Sequence, residues 1–241
     1  SGYQNLVRLA SKAFTEGLYH KPRIDKELLA RYCGGIIALS GGSDGAVMQK
    51  LIRGDRAAAE AYAGEMAEIF GPDNFYLEIQ DHDIDEQRRA NKELIEISKK
   101  LSIPLVATNE AHYLTREDAR AHEVLLCIGE GRTLTDGRYT LETPTFYVRS
   151  AAEMWEIFGN ELPEALTNTL KIATLCDLDL SPHCENKLPV FPIPDDFGSD
   201  SIDDYFEAVV FRGFEKRLSS VLRPMAEAGT LKYPLEVYEQ R

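Results

Sequence analysis

The sequence holds no apolar run near the roughly 18 residues that a membrane span requires, and its opening SGYQNLVRLASKAF lacks the short apolar core of a signal peptide. Both absences predict a cytoplasmic protein with no membrane partner. Cysteine is sparse: Cys33, Cys127, Cys176 and Cys184 include no CxxC pair, so reduced thiols are expected rather than a disulfide framework. Cys176, His183 and Cys184 suggest a zinc cluster, but no second ligand pair at metal spacing accompanies them. Basic residues are outnumbered, 27 Lys and Arg against 40 Asp and Glu, for a formal net charge of -13. Gripping a phosphate backbone calls for surplus cations, so these residues are not expected to hold nucleic acid unaided; a larger parent protein would supply basic surface elsewhere. A start methionine is also missing, and helix begins almost at once, which suggests a processed chain or a piece of a longer one.

What remains is an ordinary globular composition, 44% hydrophobic and 28% charged. Its 241 residues suffice for one large α/β domain, or a domain and the start of another. Apolar spacing predicts a helix from Tyr3 to Glu16 on a stripe of Leu6, Leu9, Ala10, Ala13 and Phe14, and a short one over 25–32 capped by Asp25. GGIIALSGG (34–42) reads as a buried strand bounded by glycines, and helices follow at 44–52 and 55–69, the second capped by Asp55. FYLEIQ (75–80) is a strand, DEQRRANKELIEISKKL (85–101) a long helix, IPLVATN (103–109) a strand and TREDARAHEVLLCI (115–128) a helix. Such alternation predicts βαβ units and a parallel sheet. A turn-rich arm (131–150) comes next, then helices at 151–158, 162–175 and 201–219. The stretch 186–200, with Pro189, Pro192, Pro194 and Gly198, is the expected domain boundary.

In parallel α/β folds, functional residues gather at the C-terminal ends of strands. Three predicted strand ends carry suitable groups: Ser40 with Asp44, then Gln80, Asp81 and His82, then Asn109, Glu110 and His112. On an extended chain, Glu110 and His112 share a face, and carboxylate with imidazole suits zinc, manganese or iron. Asp44 reads better as a helix cap than as a ligand, Asp83 or Asp85 as a cap for the helix after it, and His122 as a packing or surface residue. GGSDG lacks the lysine of a phosphate-binding loop. By chemistry alone this is an incomplete site for metal-assisted hydrolysis, with no HxH or DxH pair upstream to finish it.

Read together, GYQNLVRLASKAFTEG, RIDKELLARYCGGIIALSGG, FYLEIQDHDIDEQRRANKELIEISKKLSIPLVATNEAHYLTREDARAHEVLLCI and RTLTDGRYTLETPTFYVRSAAEMWEIF resemble, in order and spacing, the alpha subunits of bacterial replicative DNA polymerase III. The match falls in their polymerase-and-histidinol-phosphatase (PHP) domain. The resemblance implies an α/β fold: a partial PHP-type distorted β/α barrel over 1–185 lacking its N-terminal strands, a boundary at 186–200, and the start of a polymerase core over 201–241, whose catalytic aspartates lie further downstream. It implies zinc or manganese at the strand ends and magnesium for polymerisation. Metal ligands implied here are Glu110, where the family more often has aspartate, and His112, with His82 in a QDH segment beside the site. Gly42 falls where active members often have a cysteine ligand. Implied partners are primer-template DNA, deoxynucleotides, a sliding clamp and a proofreading exonuclease subunit, and the PHP domain is either a 3′–5′ exonuclease or a platform for that subunit. The alternatives are a stand-alone PHP-family phosphoesterase, such as a histidinol-phosphate phosphatase, and an interaction module without chemistry. Sequence after residue 200 that resembles the polymerase favours the first reading.

Overall fold

The computed structural model describes residues 1–136, 141, 143–180 and 191–239, so Pro189, His183 and Cys184 lie outside the described residues. The chain divides into two compact units, Ser1–Asp179 and Leu180–Arg241. The first is α/β. Helices α1 (Gly2–Thr15) and α2 (Lys26–Tyr32) precede strand β1 (Ala38–Leu39), and α3 (Ala46–Ile52) and α4 (Arg56–Phe70) lead to β2 (Phe75–Ile79). Helix α5 (Asp85–Leu101), strand β3 (Leu105–Ala107), α6 (Ala119–Gly129), α7 (Ala151–Phe158) and α8 (Pro163–Leu175) follow. The sheet is parallel in the order β1-β2-β3, with Leu77 opposite Leu105 and Ala38 opposite Phe75.

The central strand is apolar on both faces because helices cover both: Phe75, Tyr76, Leu77 and Ile79 are all buried. Val47 and Met48 of α3, Ala59 and Ala63 of α4, and Leu94 and Ile97 of α5 pack there. Each large apolar side chain so buried contributes about 1.5–3 kcal/mol. The small residues of RAAAEAYAG let α4 approach closely. Asp25 and Asp55 cap their helices as expected, their carboxylates accepting from the Leu28 and Ala58 amides at 2.7 and 3.0 Å.

Other expectations need correction. The strand within GGIIALSGG shrinks to two residues, since Gly35 and Gly41 adopt positive φ on either side. Gly45, not Asp44, is the cap of α3. Neither Asp83 nor Asp85 caps α5: Ile84 stands there without a side-chain bond, and Asp83 pairs with Arg88 instead. Along α1 only Leu9 is buried, while Leu6 and Phe14 stay exposed.

In the second unit, α9 (Ile202–Arg217) is capped by the Ser201 hydroxyl, which accepts from the Asp204 amide, and passes through a wide turn (Leu218–Leu222) into α10 (Arg223–Glu227). Phe191 and Phe197 pack on Tyr205, at ring-centroid distances of 5.6 and 4.9 Å. A last helix, α11 (Leu235–Glu239), lies within the segment left unassigned by its sequence. Among the described residues no helix is long and apolar enough to cross a membrane.

Candidate functional site

The ends of β1, β2 and β3 do converge. Ser40 Oγ accepts from the Glu78 amide at 2.9 Å, and Gln80 Nε2 donates to Thr108 Oγ1 at 3.0 Å, joining the strand ends through side chains. The β2–α5 loop is held from below by two amides on the apolar stripe of α5. Gln87 Oε1 accepts from the His82 backbone amide at 2.7 Å while its Nε2 donates to Ser43 Oγ, and Asn91 donates to the Gln80 carbonyl at 2.8 Å. Their sequence signal was polar residues at 87 and 91 among Ala90, Leu94 and Ile97, at helical spacing.

From above, the loop is clamped by the arm around 143–149. Thr143 and Thr145 hydroxyls both donate to the His82 carbonyl, at 2.6 and 2.9 Å, and Arg149 Nη1 donates to the Asp81 carbonyl at 2.6 Å. The same arm fixes the end of β3. The His112 amide donates to the Phe146 carbonyl at 2.8 Å, the Val148 amide to the Tyr113 carbonyl at 3.1 Å, and Asn109 Nδ2 to the Tyr147 carbonyl at 2.7 Å.

His82 is fully buried, its ring parallel to that of Phe146 at 4.1 Å. Nδ1 lies 3.3 Å from the Thr145 carbonyl and Nε2 has no partner. Burial lowers its pKa below the ordinary histidine value, and the Arg149 charge pushes the same way. His112 meets the edge of Phe146 at 5.7 Å and lies 5.4 Å from His122 of α6. The expected shared face of Glu110 and His112 takes another form: β3 ends at Ala107, and the two residues meet by a turn, His112 Nε2 at 2.9 Å from Glu110 Oε1. Both are more than a third exposed. His82 and His112 thus come to one phenyl ring, and Glu110 to His112.

This donor set does not by itself fit a metal ion. Glu110 Oε1 and His112 Nε2 face each other, and among the described residues no group of three or more His, Cys, Asp or Glu is placed to share an ion. One face of His82, its unpartnered Nε2, is a free nitrogen. Cys176 is exposed.

Beside the rim, Tyr147 Oη donates to Glu153 Oε1 at 2.5 Å, and Ser150 gives Glu153 Oε2 an amide and a hydroxyl bond. The phenol bond first, then those from Ser150, hold the Glu153 pKa down to about 2. A depressed carboxyl adds stability that is full above its unfolded pKa of about 4.5 and is lost as pH falls toward the folded value. Glu153→Gln is therefore expected to flatten the loss of Tm between pH 4.5 and 2, as followed by circular dichroism; an acid limb as steep as the wild type's would refute the assignment.

Residues 1–82 match the PHP domain family. Matches to complete proteins run further. Over 92% of the chain it is 39% identical to DNA polymerase III subunit alpha of Treponema pallidum, and over 90% it is 41% identical to that of Thermus aquaticus. The Pseudomonas fluorescens subunit is 39% identical over the whole chain. Over most of its length the chain is thus similar to a segment of DNA polymerase III alpha subunits. It spans about a fifth of the length of these relatives, 19%, 18% and 20% respectively.

Proposed function

We propose that this chain is part of a bacterial replicative DNA polymerase that extends a primer on template DNA from deoxynucleotides, and that its PHP domain serves as a docking platform rather than as a nuclease. The first half is supported by similarity to DNA polymerase III alpha subunits that continues past residue 200 to the last residues of the chain, which a stand-alone phosphoesterase of the PHP family has no reason to show. The second half is carried by one observation, the pairing of Glu110 with His112 without a third ligand among the described residues. A net charge of -13 suits a protein partner better than bare DNA.

On this reading residues 1–185 are PHP domain, 186–200 a boundary and 201–241 the start of the polymerase core. The parent works in the cytoplasm with primer-template DNA, deoxynucleotides, a sliding clamp and a separate proofreading exonuclease subunit. Magnesium serves its polymerase centre. Zinc or manganese would be held at the rim by His82, Glu110 and His112 only with ligands from elsewhere in the parent.

The test uses the full-length parent and its His112→Ala variant. Both are expected to extend a primer with magnesium, to contain little zinc, manganese or iron by elemental analysis, and to leave a mismatched 3′ end in place. Near-stoichiometric metal together with mismatch removal, both lost in His112→Ala, would make the domain a proofreading exonuclease. A wild-type parent that extends no primer would refute the polymerase reading itself.

A further inference from the structure

We propose that Gln80 locks the C-terminal mouth of the sheet from inside: its carboxamide takes the side-chain place of position 42, and the mouth offers a metal ion no seat there. Unlike Gly41, whose φ is +81°, Gly42 has no left-handed backbone to explain it. Its requirement is space. A Cβ built at 42 falls 2.2 Å from Gln80 Oε1 and 2.6 Å from the carboxamide carbon. The end of a long side chain ordinarily swings aside from such a clash. This one is tied, with Gln80 only 5% exposed.

Its Nε2 donates to Thr108 Oγ1 at 3.0 Å and to Glu78 Oε1 at 3.2 Å, and Thr108 donates to the same carboxylate oxygen at 2.5 Å. An ionised carboxylate only accepts, so the amide nitrogen must face Glu78. That turns Oε1 toward Gly42, where it is buried without a partner. Asn91 fixes the Gln80 carbonyl, and Ser40 fixes the amide of Glu78. The ends of all three strands are therefore tied in one knot. Glu78, the carboxylate within it, already accepts two bonds on Oε1, and position 42 contributes no ligand. Gln80 is a positioning residue: it sets Thr108, the entry to the Asn109–His112 turn.

This deepens the platform reading and rests on it, but its test reads local opening rather than synthesis, so the two can fail separately. In the full-length protein, hydrogen exchange of the peptide spanning 75–82 is followed by mass spectrometry. Gly42→Ala is expected to speed exchange there about tenfold, by forcing local opening. Gln80→Ala alone also speeds it, yet adding Gly42→Ala to Gln80→Ala is expected to change nothing further, because the clash has gone. Additive effects, or no effect of Gly42→Ala, overturn the lock. If Gly42→Ala fails to fold, the double variant decides: recovery of folding supports the lock, and continued failure overturns it. Zinc or manganese alone, added to wild type, is expected to leave this exchange unchanged. Protection by either metal that disappears in His112→Ala would show a bound ion at the rim and overturn the proposal.

Discussion

Leu77→Ala is expected to lower the unfolding free energy of the first unit by about 3 kcal/mol. Leu77 is fully buried at the middle of β2, with β1 and β3 on either side and helices over both faces. Its amide is bonded to the Pro104 carbonyl at 2.9 Å, so the backbone cannot collapse into the space left by the lost isobutyl group. Against a total stability of about 5–15 kcal/mol for a domain of ordinary size, that is a large share. The single tryptophan, Trp155 in α7, belongs to the first unit and reports its transition by fluorescence in urea. The midpoint should fall with the slope unchanged. A loss under about 1 kcal/mol would mean that the site repacks and that β2 is not the rigid centre described.

Phe146→Ala is expected to weaken the same unit by about 3 kcal/mol, the lower end for a buried phenylalanine, because the ring lies under an arm rather than between layers. Phe146 is buried between the imidazoles of His82 and His112. Its removal has a second, spectroscopic consequence. Burial is the first cause of the lowered His82 pKa, so letting water reach the ring should raise that pKa toward the ordinary histidine value, as an NMR titration would read. Stability lost without any movement of the His82 titration would show that the phenyl ring supports the arm but does not keep His82 dry.

The legible part of the fold was its rhythm. Asp85–Leu101 and Ala151–Phe158 match their predicted ranges because each has a strong 3.6-residue apolar period, and Thr115 with Asp118 marks a helix start through a capping box. What misled was local chemistry with more than one use. Asp44, Asp83 and Asp85 all have the type of a cap, but glycine geometry beside one and Arg88 beside another decide otherwise. The strand of GGIIALSGG is cut short by two left-handed glycines that its apolar run could not reveal. At the site, Glu110 and His112 were legible as a pair from their spacing alone. Their pairing with each other was not, since it depends on a turn held by the Phe146 carbonyl, 34 positions away. Gln87 and Asn91 escaped notice because amides carry no charge and match no motif, and Gln80, named at its strand end, gave no sign of the bonds that tie it there. Only the fold shows that they are buried.

The clamp on the rim also orders events in time. Thr143 and Thr145 reach back 61 and 63 residues to the His82 carbonyl, and Arg149 reaches 68 to that of Asp81. Such distant closures are expected to follow the nearer pairing of β1 to β3 with α3, α4 and α5, since each must first overcome the entropy of a long loop, as must the docking of α8 on β3. The sheet with α3, α4 and α5 is therefore expected to stand before the rim is finished. In the folded protein the arm is expected to open before the layered core, which hydrogen exchange of residues 143–149 against 75–79 would read; equal protection of the two would refute it. A partner that grips the arm would thus capture a sub-global opening, holding the rim shut without needing to touch the sheet.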